Sequence, residues 1–247
     1  MNPGTKKRLA LAALIFAFAV AALNAQTSDA DRLNSSGVAN YNKGDYDRAI
    51  ADFTEAIRLN PNFAIAYFNR GHAYYEKRDY DRVIADFTEA IRLNPGYTQA
   101  YSERASVYYI RGDYDRAIAD YTQVIRLEPT ADNYNARGIA YLRKSDWDRA
   151  IADYTEAIRL NPNYPAAYYN RGTTYNNKRD YDRAIPDLTK AIQLEPNNGS
   201  AYNNRAFAYY NKGNYAQARP DVNKALQINP NSQAVKDLDA ELKKKGY

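Results

Sequence analysis

The chain has 247 residues, 45% hydrophobic and 26% charged, enough to bury a substantial core. Three of its 34 Lys and Arg fall within residues 1–25, leaving 31 cations against 29 acidic residues, so the formal +5 shrinks to +2. Three of those cations are Lys243, Lys244 and Lys245 and the rest alternate with acids, so nucleic acid has no basic face to bind; the absence of cysteine excludes disulfides and lipidation at an N-terminal cysteine.

Residues 1–25 place Lys6, Lys7 and Arg8 before an apolar run from Leu9 to Leu23, followed by small residues. That order predicts a secretory signal peptide ending at Ala25. The apolar run is shorter than the roughly 20 residues of a membrane span, so a retained N-terminal anchor is the second choice. The expected compartment is the periplasm, with no stable membrane insertion once the signal is removed. Residues 26–29 read as a polar lead-in.

From residue 30 the chain repeats. GDYDRAIADFTEAIRLNP (44–61) returns at 78–95, 112–129 and 145–162, then more loosely at 179–196 and 213–230. The step is constant except before 145–162, where it is shorter by one. Ala49, Ile50, Phe53, Ala56 and Ile57 make one apolar stripe on a helix. Asp45, Asp79, Asp113, Asp146, Asp180 and Asn214 stand at the N-cap of this helix, and Pro61 and its counterparts mark its end. A further helix precedes it, as in residues 65–78, and finishes on a cation (Lys43, Lys77, Arg111, Lys144, Lys178 or Lys212), which suits the macrodipole. Each unit is therefore a helix–turn–helix, giving boundaries of 30–63, 64–97, 98–130, 131–164, 165–198 and 199–232. Residues 233–247 read as a capping helix with Val235, Leu238 and Leu242 on one face and Ser232 as its cap. The short turn after Pro129 predicts either a changed stacking angle or a deletion absorbed by the turn. Repeats five and six form a subclass with Pro186 and Pro220 inside the second helix.

This pattern resembles the tetratricopeptide repeat. The small first-helix residue is Gly37, Gly71, Ala105, Gly138, Gly172 or Ala206. The small second-helix residue is Ala49, Ala117, Ala150, Ala184 or Ala218, with Val83 in repeat two. Tyr67, Tyr101, Tyr134, Tyr168 and Tyr202 stand where that family usually has Trp. The resemblance implies an all-α fold, a right-handed α-α superhelix (solenoid) of six units plus a C-terminal capping helix. It also implies a concave groove walled by first helices that binds a polypeptide segment.

In peptide-binding relatives an Asn two places before the small residue bonds the ligand backbone. Asn69, Asn170 and Asn204 match, whereas Ser35, Glu103 and Ala136 depart. The 25 tyrosines recur mostly at packing positions, but Tyr41, Tyr75, Tyr109 and Tyr210 share an extra first-helix position that the resemblance turns toward the groove. His72, the only histidine, reads as a groove or surface residue.

Nothing in the chain reads as catalytic, and no cofactor or metal motif appears. The paired Asp45 and Asp47 read as capping residues, and the Arg48/Asp52 type of i,i+4 pair as surface charge. The expected function is a non-catalytic scaffold or adaptor for a protein partner. Its rivals are an envelope glycan-binding module using the tyrosines as stacking platforms and a structural protein that self-associates.

Overall fold

The computed structural model describes residues 27–247, and every regular element among them is α-helical. Helix α1 covers 27–42. It is followed by α2 (Tyr46–Leu59), α3 (Ala64–Glu76), α4 (Tyr80–Leu93), α5 (Thr98–Ile110), α6 (Tyr114–Leu127) and α7 (Ala131–Arg143). Then come α8 (Trp147–Leu160), α9 (Pro165–Asn177), α10 (Tyr181–Leu194), α11 (Gly199–Asn211), α12 (Tyr215–Ile228) and α13 (Gln233–Lys244). The signal-peptide reading of 1–25 lies outside the described residues, and 27–29, expected as a lead-in, already belong to α1. The helices group into two compact units, one ending at Val107 and the other running from Tyr108 to Tyr247.

The predicted stripe is the core. Ala49, Phe53 and Ala56 of α2 are buried, as are Ala184, Leu188, Ala191 and Ile192 of α10. The large residue in the middle of the stripe lies against the glycine of the first helix in several repeats. A Cβ added to Gly71 would lie 2.6 Å from the Phe87 ring, and one on Gly138 would lie 2.6 Å from Tyr154. Ala206 stands in place of the glycine with the smaller Val222 buried in the second helix, but Ala105 does so in repeat three, where the second helix buries Tyr121. Fully burying side chains of this size contributes about 1.5–3 kcal/mol each.

The turn inside each repeat ends one helix and starts the next with one residue. Asp79 N–H reaches back to the Tyr74 carbonyl at 3.0 Å, and Arg78 N–H to Tyr75 at 2.8 Å, the two bonds of a Schellman motif. The Asp79 carboxylate then accepts from Arg82 N–H at 3.2 Å and caps α4. Asp45, Asp113, Asp146 and Asp180 cap their helices likewise, as the sequence predicts. Asn214 makes no side-chain cap bond, nor does Ser232, correcting the expectation for α13.

At the short turn after Pro129 side chains take part in capping the next helix. Thr130 becomes the N-cap of α7 and accepts from Asn133 N–H at 3.3 Å, while Asn133 Nδ2 donates to the Glu128 carbonyl at 2.8 Å. Pro186 and Pro220 leave α10 and α12 at the 14 residues of their counterparts, so neither breaks its helix.

Candidate functional site

The first helices that should form a binding wall first have to be held in line, and polar side chains do this. In the unit that ends at Val107, Arg70 of α3 makes a two-pronged bond to Asp86 of α4, with Nε to Oδ2 at 2.9 Å and Nη2 to Oδ1 at 2.8 Å. Its third nitrogen, Nη1, donates to Thr54 of the preceding repeat at 3.1 Å. Arg137, Arg171 and Arg205 repeat this rung with Asp153, Asp187 and Asp221, and with Thr122, Thr155 and Thr189. The hydrogen bond to Asp153 raises the Arg137 pKa against the opposing effect of burial.

That corrects the Arg48/Asp52 reading. Arg48 pairs with its own cap, Asp45, at 3.2 Å, while Asp52 accepts from Ser36 and Asn40, both at 2.8 Å. In repeats two and five the equivalent acids, Asp86 and Asp187, are buried beneath an arginine of the preceding helix. The terminal lysines are likewise more specific than a dipole argument suggests. Lys77, Lys144, Lys178 and Lys212 each pair with the first-turn acid of the previous repeat, namely Asp47, Asp115, Asp148 and Asp182.

The predicted asparagines also work between repeats. Asn69 Nδ2 donates to Asn34 Oδ1 and Asn170 Nδ2 to Asn135 Oδ1, both at 2.9 Å. Asn204 Nδ2 reaches Tyr169 Oη and Thr173 Oγ1, both at 3.1 Å. Their amide nitrogens are therefore engaged by neighbouring first helices.

The four extra tyrosines have packing partners of their own. Tyr41, Tyr75, Tyr109 and Tyr210 set their rings 5.3–5.9 Å from the turn aromatics Tyr46, Tyr80, Tyr114 and Tyr215. Two also bridge repeats through their hydroxyls: Tyr41 donates to Glu76 at 3.1 Å, and Tyr109 accepts from Arg143 Nε at 2.8 Å. Burial and the nearby Glu76 push the Tyr41 pKa up to about 12.

Each unit holds a cleft that includes predicted groove residues. In the first, Tyr41, Asn69 and His72 come together with Val38, Asn42 and Phe53 around about 360 Å³. His72 is wedged edge-on against Phe68, with centroids 4.5 Å apart, and burial lowers its pKa. In the second unit, Tyr210 joins Asn203, Phe207, Asn211, Leu238 and Glu241 around about 400 Å³. Sequence reasoning missed the α13 contribution there, having read that helix only as a solvating cap. It also missed Val38 and Phe207, although both follow the small residue directly, as His72 does. Val38 is 36% and Phe207 43% exposed. Among the described residues no group of His, Asp and Glu is placed to hold a metal ion, and no helix is long and apolar enough to cross a membrane.

Helix hairpins recurring at one step, joined side by side through first-helix polar rungs, define a helical-repeat protein. Family profiles agree: the tetratricopeptide repeat matches residues 64–97, 98–130, 165–198 and 199–232, and a related TPR repeat matches 37–77 and 138–178. The chain belongs to the tetratricopeptide repeat family, and its fold is an all-α solenoid. Among solved structures it is similar to a tetratricopeptide repeat protein from Parabacteroides merdae (20% identity, TM-score 0.72, covering 89% of this chain and 88% of that one). It is also similar to YrrB, described as a TPR protein with an unusual peptide-binding site (23%, TM-score 0.65, 76% and 97%). MamA is a third (26%, TM-score 0.63, 67% and 91%). No curated protein gave a match.

Proposed function

We propose that this chain is a non-catalytic scaffold that binds polypeptide segments along its first-helix face. The observation that carries the reading is the pair of clefts, each combining exposed apolar side chains with amides on helices locked by the Arg–Asp–Thr rungs. Such a preformed surface lowers the ordering cost of binding, and extended chains present both apolar side chains and backbone groups to it. The family generally serves as non-catalytic protein-binding scaffolds, and the peptide-binding site named for YrrB supports the same reading.

The test is selection of peptides from a random displayed library against residues 26–247 and against a Val38→Asp/Phe207→Asp variant. Both positions are exposed, so helicity should be unchanged. Sequences enriched by the parent and lost with the variant support the reading. Equal enrichment by both refutes it. The proposal extends to location: residues 1–25 act as a secretory signal, delivering the chain to the periplasm. N-terminal sequencing of the exported protein should begin at Gln26, and a chain that still starts at the initiator would establish an N-terminal anchor instead.

A further inference from the structure

Helix α13 follows repeat six where a further first helix would come, and its Val235, Leu238 and Leu242 are buried in one cluster with Ala206 of α11 and Val222 of α12. Its seat differs from the seam between inner repeats. The residue after the small second-helix residue is isoleucine in repeats one to five, and Ile50 and Ile151 pack against the core of the following repeat. In repeat six that residue is Arg219, which pairs with Asp239 of α13. The Arg219 Nε is buried and has no partner in the protein, and the same is true of Asn203 Oδ1 in α11. Asn203 also lines two clefts that α13 helps to wall. One, of about 200 Å³, includes Ser200, Ile228 and Val235; the other, of about 400 Å³, includes Phe207, Ala234 and Leu238. Ser232, at the start of α13, makes no side-chain cap bond.

Buried polar atoms left unpaired weaken the packing that buries them, and an element held less tightly than its neighbours opens ahead of them. We propose that α13 is an exchangeable cap, displaced by an amphipathic helix of a partner protein that docks on the same face of α11 and α12. What α13 already does there sets the chemistry of that helix. It carries apolar residues at the spacing of Val235, Leu238 and Leu242, and an acid in the place of Asp239 to meet Arg219. Where α13 has Ala234, the partner has a longer side chain with an amide N–H, which enters the larger cleft and donates to Asn203 Oδ1. Amphipathic helices bind apolar grooves through anchors spaced in this way. The inference goes beyond polypeptide binding along the first helices, because the ligand is a helix and it enters at the end of the array.

Hydrogen exchange on residues 26–247 tests the opening, since α13 should exchange at least about tenfold faster than α9 and α10. The probes for docking are two fluorescein-labelled peptides, residues 231–247 unchanged and the same peptide with Ala234→Gln. By fluorescence anisotropy the Ala234→Gln peptide should bind about tenfold more tightly, because it satisfies Asn203. Its binding should release the α13 amides of the protein to fast exchange while α9 and α10 stay protected. Asp239→Asn in the peptide should weaken binding to the parent protein about tenfold and change nothing with an Arg219→Met protein, which isolates that pair. An α13 as protected as α9, no binding of either peptide, or binding that leaves α13 protected would each overturn the proposal. Equal affinity of the two peptides would overturn the partner reading and make α13 of a second copy the occupant. A Val38→Asp protein should bind the helix as the parent does, so failure here and failure of the first-helix reading are told apart.

Discussion

Asp187→Ala tests whether the rungs between repeats hold the binding face in place. Asp187 takes two bonds from Arg171, at 2.7 and 2.8 Å, and the same guanidinium reaches Thr155 at 3.0 Å. The two side chains are 18% and 10% exposed. Removing the carboxylate leaves a mostly buried cation with one neutral partner. Breaking buried pairs this way typically costs about 3–5 kcal/mol, and the residual access of Arg171 to water sets the expectation at about 3 kcal/mol. The joint change Arg171→Met/Asp187→Leu removes both charges and should fall within about 1 kcal/mol of the parent. Urea unfolding followed by helical circular dichroism gives the energies. Hydrogen exchange on α9 and α10 shows where they act, since repeats depend on their nearest neighbours. A cost below about 1 kcal/mol for Asp187→Ala, with exchange in α9 and α10 unchanged, would refute the reasoning.

Arg78, Ser145 and Arg179 hold φ near +58°, the position that Gly44, Gly112 and Gly213 fill elsewhere, so Arg179→Gly should raise stability by about 1 kcal/mol, read as an increase in urea midpoint. Pro186 is exposed and lacks the N–H that would bond the Asp182 carbonyl; Pro186→Ala should stabilise by about 1–3 kcal/mol, seen in thermal melts. Arg82 and Arg116 side chains and backbone N–H groups hold Asp79 and Asp113 below the ordinary carboxylate value of 3.8. Folded pKa values lowered in this way give stability that is complete above 3.8 and is lost as pH falls through the lower folded value; an Asp113→Asn variant should flatten that part of the acid titration. Burial lowers the His72 pKa while Glu103 and Glu76 oppose it, so His72 should titrate below 6.5, and Glu103→Gln should move the midpoint lower still by proton NMR.

The repeat period, the apolar stripes and the Asp caps were legible because each is local: a stripe or a cap is written within one helix. The same holds for the small first-helix residues, although only the structure shows that Gly172 is small because Leu188 presses against it. The Arg–Asp rungs were not legible. Arg171 and Asp187 stand on different helices, and Asp187 looks in sequence like any outward acid at i+4 from Arg183. The candidate site divided in the same way. Tyr41, Asn69 and His72 were found through the first-helix register and do meet, whereas Leu238 and Glu241 of α13 join Tyr210 only through packing.

The lysine brackets carry an instruction about length. Every acid that receives a lysine from the next repeat, such as Asp148 or Asp182, presupposes that a next repeat exists. In repeat six that place is Ala216, and α13 follows in place of another hairpin. A gene duplication that inserted one whole hairpin between repeats four and five would find every charge answered. One that appended a hairpin after residue 232 would bring a lysine to face a methyl group. The array can therefore grow from its middle while its end is written as an end.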